Sequence, residues 1–161
     1  MKKAAGGSDA FLVRYDAKGA LDWALTFGGG GPDRALALER SRAGHVVVAG
    51  RFGGKADFDP SRRKHVLESS GRGGATDAFL ASYDAKGKIR WALPIGAEVS
   101  GGRNITTATG LARGRRDGVV VVGTYFGCPE LGSKRDAFTL PNAGSSDVFV
   151  VRVDGEGRVV P

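Results

Sequence analysis

Cysteine and histidine are scarce in this chain. The sequence of 161 residues has one cysteine, Cys128, and two histidines, His45 and His65. A single cysteine excludes a disulfide within the chain and a metal cluster built on several cysteines. The histidines share no spacing that a metal site or a catalytic triad would use, and no base stands near Cys128 in the sequence to activate its thiol. Cysteine and histidine therefore offer little support for a metal site or a nucleophilic enzyme.

Long apolar runs are missing as well. No run approaches the ~18 residues that a membrane-spanning helix requires. Met1-Lys-Lys has the charge of a signal-peptide n-region, but residues 4–8 are too short and too polar for the apolar region that should follow. We expect a soluble chain, with no membrane span and no signal peptide in the sequence as given.

Acidic residues are outnumbered by basic ones. The chain has 24 lysines and arginines against 17 aspartates and glutamates, a formal net charge of +7. Such an excess can attract nucleic acid, an anionic membrane or an acidic polysaccharide. The basic residues are scattered apart from clusters at 62–64 and 113–116, and neither cluster has the interleaved aromatic residues of a single-strand binding platform. We expect an ordinary solvated surface and no nucleic-acid partner.

What the sequence does have is glycine and an internal repeat. Glycine accounts for 27 of the 161 residues, which favours a turn-rich β protein. The stretch Asp9-Ala-Phe-Leu-Val-Arg-Tyr-Asp-Ala-Lys-Gly19 returns as Asp77–Gly87 and, with more changes, as Asp147–Gly157, at intervals of 68 and 70 residues. Trp23 and Trp91 stand four residues beyond the first two copies. The repeat indicates one structural unit used more than once.

Each full unit predicts a β-hairpin followed by further strands. Residues 9–15 alternate between two faces, and residues 21–27 form the return strand. Asp16-Ala-Lys-Gly19 predicts a type I turn with a bulge, because the aspartate can accept backbone hydrogen bonds and the glycine can be left-handed. The apolar run in His45-Val-Val-Val-Ala-Gly50 predicts a strand buried on both faces. Strands of the second unit are expected at 78–83, 88–95, 104–111 and 119–122.

The strand pattern predicts an all-β fold, since no long amphipathic helix is present. Four strands per unit, apolar on both faces, are typical of a β-propeller blade. We predict one β-propeller-like domain over residues 1–161, with unit 1 at 8–75, unit 2 at 76–145 and a partial unit 3 at 146–161. This amounts to about two four-stranded antiparallel blades plus a C-terminal hairpin, an incomplete propeller.

The motifs resemble a known repeat family. Asp-Ala-Phe-Leu-Val-x-Tyr-Asp-x-x-Gly-x-x-x-Trp, a valine-rich strand ending in Gly-x-Phe, then Ala-Asp-Phe and Gly-Gly-x-x-Asp-x-Phe, are similar to the bacterial β-propeller repeats known as SBBP repeats, over essentially residues 8–161. The resemblance implies a propeller on a secreted or cell-surface protein and carries no catalytic residue to any position. The chain departs from it in copy number, because a closed propeller usually has four to eight blades.

An incomplete propeller leaves two outer faces bare. If each exposes on the order of 500 Å² of apolar area, covering one contributes about 12 kcal/mol before the costs of association. The partners that would cover them are neighbouring blades of a longer chain or other copies in a homo-oligomer. Pro161 stands where the first two copies have tryptophan, so the sequence stops inside a blade, which favours the longer chain.

The C-terminal hairpin, residues 147–160, has two alternative places. It can pair with the third and fourth strands of the first unit, as when both ends of a chain complete one blade. It can instead pack on the second unit as the start of a third blade. Both alternatives remain open on the sequence alone.

Asp57 and Asp59 are the candidate catalytic or metal-binding pair. At i and i+2 of an extended chain their carboxylates lie roughly 7 Å apart on one face. That separation suits an inverting glycosidase or a loose Ca²⁺ site. The competing interpretation is a turn, in which Asp59 precedes Pro60 and fixes the loop. The second unit has Pro129-Glu-Leu-Gly at this place and no matching pair, which favours the turn.

Two other features have a structural and a functional interpretation. The glycines at 28–31 lack the lysine and the serine or threonine of a phosphate-binding loop, so we expect a connection between strands. Trp23 and Trp91 could be platforms for stacking sugars, but their place on the apolar face of a repeated strand favours core packing.

We predict a non-catalytic binding or scaffolding module without a cofactor other than the Ca²⁺ candidate. Its ligand would be a protein or a polysaccharide. The alternative is a lectin-like carbohydrate-binding assembly formed by oligomerised blades. An enzyme would need polar groups converging on a central channel, and the sequence has no repeated cluster of them.

Overall fold

Antiparallel sheets make up the part of the chain that is described. The computed structural model describes residues 6–59, 61–70, 75–96, 105–131 and 138–160, so Pro60, Pro161, the N-terminal residues 1–5 and the first position of the predicted strand 104–111 lie outside. These residues contain strands and no helix, so none that could cross a membrane, and the all-β prediction is confirmed. The strands are β1 (Ala10–Tyr15), β2 (Leu21–Gly29), β3 (Arg34–Arg40), β4 (Val46–Phe52), β5 (Lys55–Asp57), β6 (Val66–Glu68), β7 (Asp77–Tyr83), β8 (Ile89–Ile95), β9 (Ile105–Arg113), β10 (Val119–Phe126), β11 (Glu130–Leu131), β12 (Phe138–Thr139), β13 (Asp147–Val153) and β14 (Val159–Val160).

The predicted Asp-x-x-Gly turns are confirmed. Asp16 Oδ1 accepts hydrogen bonds from two backbone N–H groups further along the turn, each at 2.8 Å. Gly19 closes the turn with a left-handed φ of 80°. The same arrangement recurs after Asp84 and Asp154, so all three copies of the motif form hairpins.

The strands of one sequence unit are divided between sheets. The first sheet has the order β1-β2-β5-β6, the second β3-β4-β7-β8 and the third β14-β13-β10-β9, while β11 pairs with β12. The second sheet joins the two units, because β4 pairs with β7 along its whole length, from Val46–Tyr83 to Phe52–Asp77. The described residues therefore form three four-stranded sheets, where the sequence predicted about two blades and a hairpin.

The two glycines that end β2 explain this grouping. Gly28 and Gly29 pair with Asp57 and Ala56, which brings β5 alongside β2 in place of β3. A Cβ on Gly29 would collide with the carbonyl oxygen of Lys55, so the close pairing depends on the missing side chain. β3 then starts a new sheet.

The C-terminal hairpin completes the third sheet. β13 pairs with β10, from Tyr125–Asp147 to Val119–Val153, and β14 pairs with β13. The hairpin thus joins the strands of the second unit. The alternative in which the hairpin pairs with the third and fourth strands of the first unit is wrong. β13 pairs with β10, and the edge of β4 that does not pair with β3 pairs with β7.

The second sheet is packed on both faces. One face contributes Phe52, Phe79 and Tyr83 to an aromatic core shared with the first sheet. The opposite face packs against the third sheet, and every residue of β7 is buried. Val47 and Val48 belong to different cores although they are adjacent in sequence. The two-sided burial that was predicted for the strand of residues 45–50 is confirmed in β4.

Candidate functional site

Asp57 and Asp59 lie at the loop between β5 and β6 and hold it in place. Asp57 Oδ1 accepts hydrogen bonds from the backbone N–H groups of Asp59 and His65, each at 3.1 Å, and Asp59 Oδ1 accepts one from Ser61 at 2.8 Å. Burial, and next the charges of Asp59 and Asp57, raise the pKa of Tyr83 far above its usual range. These contacts favour the loop-fixing interpretation over a glycosidase pair or a Ca²⁺ site.

The two histidines and the cysteine have separate surroundings. His65 Nε2 lies 3.2 Å from the carbonyl oxygen of Ala92, whereas His45 Nε2 lies 3.9 Å from a carboxylate oxygen of Asp117. Cys128 is half-buried after β10. In the part of the chain that is described, no three histidine, cysteine, aspartate or glutamate side chains are placed to hold a metal ion.

The glycines at 28–31 surround a buried carboxyl group that the sequence did not single out. Asp33 Oδ2 accepts a hydrogen bond of 2.7 Å from the N–H of Gly29, and Oδ1 accepts one of 3.4 Å from Gly53. Burial raises the pKa of Asp33 to about 6, partly offset by these hydrogen bonds. The expected strand connection is confirmed for Gly30 and Gly31 but wrong for Gly28 and Gly29, which end β2 and pair with β5. Asp33 holds the backbone of Gly29 and of Gly53 by its two hydrogen bonds.

Two tryptophans link successive sheets. The indole Nε1 of Trp23, on β2, donates a hydrogen bond of 3.0 Å to the carbonyl oxygen of Ala85 in the turn of the second sheet. Trp91, on β8, makes the same bond of 2.9 Å to Gly155 in the turn of the third sheet. Both side chains are half-buried and their polar atom is in use. They are inter-sheet contacts, closer to the core-packing interpretation than to sugar platforms.

Arginines reinforce the same carbonyl groups. Arg14 Nη1 donates to Ala85 at 2.5 Å and its Nε lies 3.1 Å from a carboxylate oxygen of Asp22. Arg90 Nη1 donates to Gly155 at 3.1 Å. In the turns of the second and third sheets, one backbone carbonyl therefore accepts hydrogen bonds from a tryptophan and an arginine of the preceding sheet. Sequence reasoning missed this junction, although the joint recurrence of the turn and the tryptophan was a signal of it.

The outer face of the first sheet leaves exposed what the second sheet buries. We name the side chains of Phe11, Val13, Tyr15 and Leu21 the head face. Phe11 and Tyr15 are 69% and 61% exposed, while Phe79 and Tyr83, at the same places in the repeat, are fully buried. In the second sheet these places are covered by the first sheet. Among the described residues, no sheet covers the head face in the way that the first sheet covers the second.

The outer face of the third sheet is exposed in the same way, at the other end of the stack of sheets. We name the side chains of Val122, Val148, Val150 and Arg152 the tail face. Val148 and Val150 are 66% and 68% exposed, whereas Ala78 and Leu80 at the same places in β7 are fully buried, with the third sheet packed over them. The prediction of two bare outer faces is confirmed for the described residues.

The fold and its junctions define an all-β repeat protein of packed antiparallel sheets. No protein-family profile matches the chain. The chain is similar to a protein of Caulobacter vibrioides named regulatory protein FlaEY, with 33% identity over 118 residues. The match covers 73% of this chain and 11% of the relative, so the chain spans about a tenth of the length of the curated protein it matches. The likeness to SBBP repeats stays a prediction.

Proposed function

We propose that this chain is a non-catalytic β-propeller repeat module that serves in binding or scaffolding. The observation that carries the proposal is the second sheet, which is packed on both faces by sheets built from the same repeat. In a propeller each blade is covered on both faces by its neighbours. The recurrence of one junction, a tryptophan against an Asp-x-x-Gly turn, adds support because propeller blades meet in repeated contacts.

The use of the polar side chains supports a module without catalysis. Asp33 and Asp57 accept hydrogen bonds from backbone N–H groups and shape loops. The ring of Trp23 lies against Gly87 and the ring of Trp91 against Gly157, each in the turn of the next sheet, which leaves less ring surface for stacking a sugar in a lectin-like assembly. A general acid or base must instead reach a substrate.

The setting we propose is a larger secreted or cell-surface protein. The resemblance to SBBP repeats supports this location. Similarity to about a tenth of a much longer protein supports a module that forms part of a larger protein. Its partners would be neighbouring blades, either of the same longer chain or of other copies in a homo-oligomer, together with a protein or polysaccharide ligand at the loops.

The geometry that relates the three sheets, measured in a crystal of the chain, tests the proposal. A propeller requires that one rotation about a common axis relates the first sheet to the second and the second to the third. Sheets that pack without a common axis would contradict it. Turnover of glycoside, ester or phosphodiester substrates that is lost in Asp57→Asn would contradict the non-catalytic proposal and indicate an enzyme.

A further inference from the structure

The exposed apolar residues are concentrated on the two outer faces. Of the large apolar side chains that are exposed in the described residues, only those at 36 and 38 lie on β3, away from both faces. By strand alternation the others project from the first or third sheet to the outside; they are Phe11, Tyr15, Leu21, Val66, Val122, Phe126, Val148 and Val150. Patches of this kind mark a surface that binds a partner.

The head face and the tail face are the two halves of one kind of interface. Where the first sheet meets the second, Leu12 of the upstream sheet packs in the same core as Phe79 and Tyr83 of the downstream sheet. Val150 occupies the place of Leu12 in the repeat, and Phe11 and Tyr15 occupy those of Phe79 and Tyr83. A tail face set on a head face would therefore place the same kinds of side chain against each other as the internal junction does.

A polar contact fits this pairing too. Arg152 has the place in the repeat that Arg14 has, on the exposed side of β13. Arg14 donates to the carbonyl of Ala85 within Asp84-Ala-Lys-Gly87, and the first turn of the chain, Asp16-Ala-Lys-Gly19, has the identical sequence. That first turn has room, because a Cβ on Gly19 would meet no atom within 4 Å. Arg152 of one copy can thus donate to Ala17 of another.

We propose that a second copy of this chain docks head to tail, with its tail face on the head face and Arg152 bound to the carbonyl of Ala17. The inference rests on the proposed function, since it extends the repeat contact beyond one chain. The occupant is a second copy because both halves of the interface, including the arginine and the turn that receives it, are present on one chain. Such an interface is heterologous, so the copies assemble into a closed ring or an open filament.

Complementation between two face variants tests the proposal. Phe11→Asp destroys the head face and Val150→Asp destroys the tail face, and both side chains are exposed, so the chain is expected to fold. In sedimentation the unaltered chain should associate with rising concentration, up to about 100 μM, and each variant alone should be monomeric. An equal mixture of the two should give a 1:1 dimer and nothing larger, because one intact head and one intact tail remain.

Matched controls distinguish association through the head and tail faces from nonspecific association of exposed apolar residues. Leu38→Asp alters an exposed apolar residue on neither face and should associate like the unaltered chain. Arg152→Ala should weaken association about tenfold, whereas Arg158→Ala, which alters an arginine paired with Asp154 within its own turn, should not. A monomeric unaltered chain, or a mixture that stays monomeric while the unaltered chain associates, overturns the proposal. Sedimentation reports on self-docking alone, and the rotation between sheets reports on the propeller, so either can fail without the other.

Discussion

The indole ring of Trp91 lies against Gly157, the residue that closes the turn of the next sheet. A Cβ on Gly157 would come within 2.7 Å of the indole Cδ2. Trp23 and Gly87 have the same relationship one sheet earlier, with a corresponding distance of 3.1 Å. The turn glycine therefore allows the chain to reverse and also leaves space for a tryptophan from the preceding sheet.

Replacing the turn glycines should separate these two roles. Gly157→Ala and Gly19→Ala both place a Cβ at nearly the same left-handed φ, 81° and 80°, at a cost of about 1–2 kcal/mol each. Gly157→Ala also displaces Trp91, so we expect it to lower the free energy of unfolding by roughly 1–3 kcal/mol more. Urea titration followed by tryptophan fluorescence measures both variants. Equal losses would show that the ring contact contributes nothing.

Removing the indole N–H should weaken the contact between the second and third sheets while an aromatic ring remains at the position. Trp91→Phe keeps an aromatic ring but loses the hydrogen bond to Gly155. We expect the free energy of unfolding to fall by about 1 kcal/mol, the usual net value of such a bond. Tyr15→Phe, which removes a hydroxyl from an exposed ring, is the control and should change little. A Trp91→Phe chain as stable as the unaltered one would argue against the tryptophan as an inter-sheet link.

Asp33 should give the fold an unusual dependence on pH. Burial raises its pKa from 3.8 to about 6, so the folded state holds the proton more tightly than the unfolded state does. Its contribution to stability is therefore full below the unfolded pKa and is lost as the pH rises through about 6. Relative to the unaltered chain, Asp33→Asn should gain on the order of 2–3 kcal/mol of unfolding free energy between about pH 4 and 7.

Urea titrations of both chains across that pH range measure this effect. Asp84 and Asp154, whose pKa values are lowered by backbone hydrogen bonds despite the opposing effect of burial, are common to both chains and cancel in the difference. A difference that stays constant with pH would mean that Asp33 titrates normally.

The loop that contains Asp57 should be stable without a metal ion. Its carboxylate accepts two backbone hydrogen bonds, so Asp57→Ala should lower the free energy of unfolding by about 1–3 kcal/mol. Adding Ca²⁺ or a chelator should leave the melting temperature of the unaltered chain where it is. A melting temperature that rises with Ca²⁺, and no longer does so in Asp57→Ala, would restore the metal-site interpretation.

Local features of the fold could be predicted from the sequence. The hairpins follow from strand alternation and from a turn whose aspartate and glycine act within a few residues of each other. The two-sided burial of β4 follows from its adjacent valines. The grouping of strands into sheets could not be predicted in the same way, because the pairing of Gly28 and Gly29 with β5 depends on close backbone contact between distant segments.

The same difference applies to the site. The sequence predicted bare outer faces, since an incomplete set of two-sided sheets must leave them. It did not predict the bond from Trp23 to Ala85, whose partners lie 62 residues apart. Nothing about either residue alone indicates that bond, because a backbone carbonyl is present at every position. The buried Asp33 was missed for a similar reason, as its setting depends on how the glycines around it fold.

The most direct test of the central claim, that the outer faces are unfinished copies of the internal interface, is hydroxyl-radical footprinting of Tyr15 and Tyr83 at low and high protein concentration. Tyr83 should be protected at both concentrations, because the first sheet covers it. Tyr15 should be modified in the dilute chain and become protected as the concentration rises, while exposed Leu38 on β3 stays equally reactive. Modification of Tyr15 that does not change with concentration would contradict the claim.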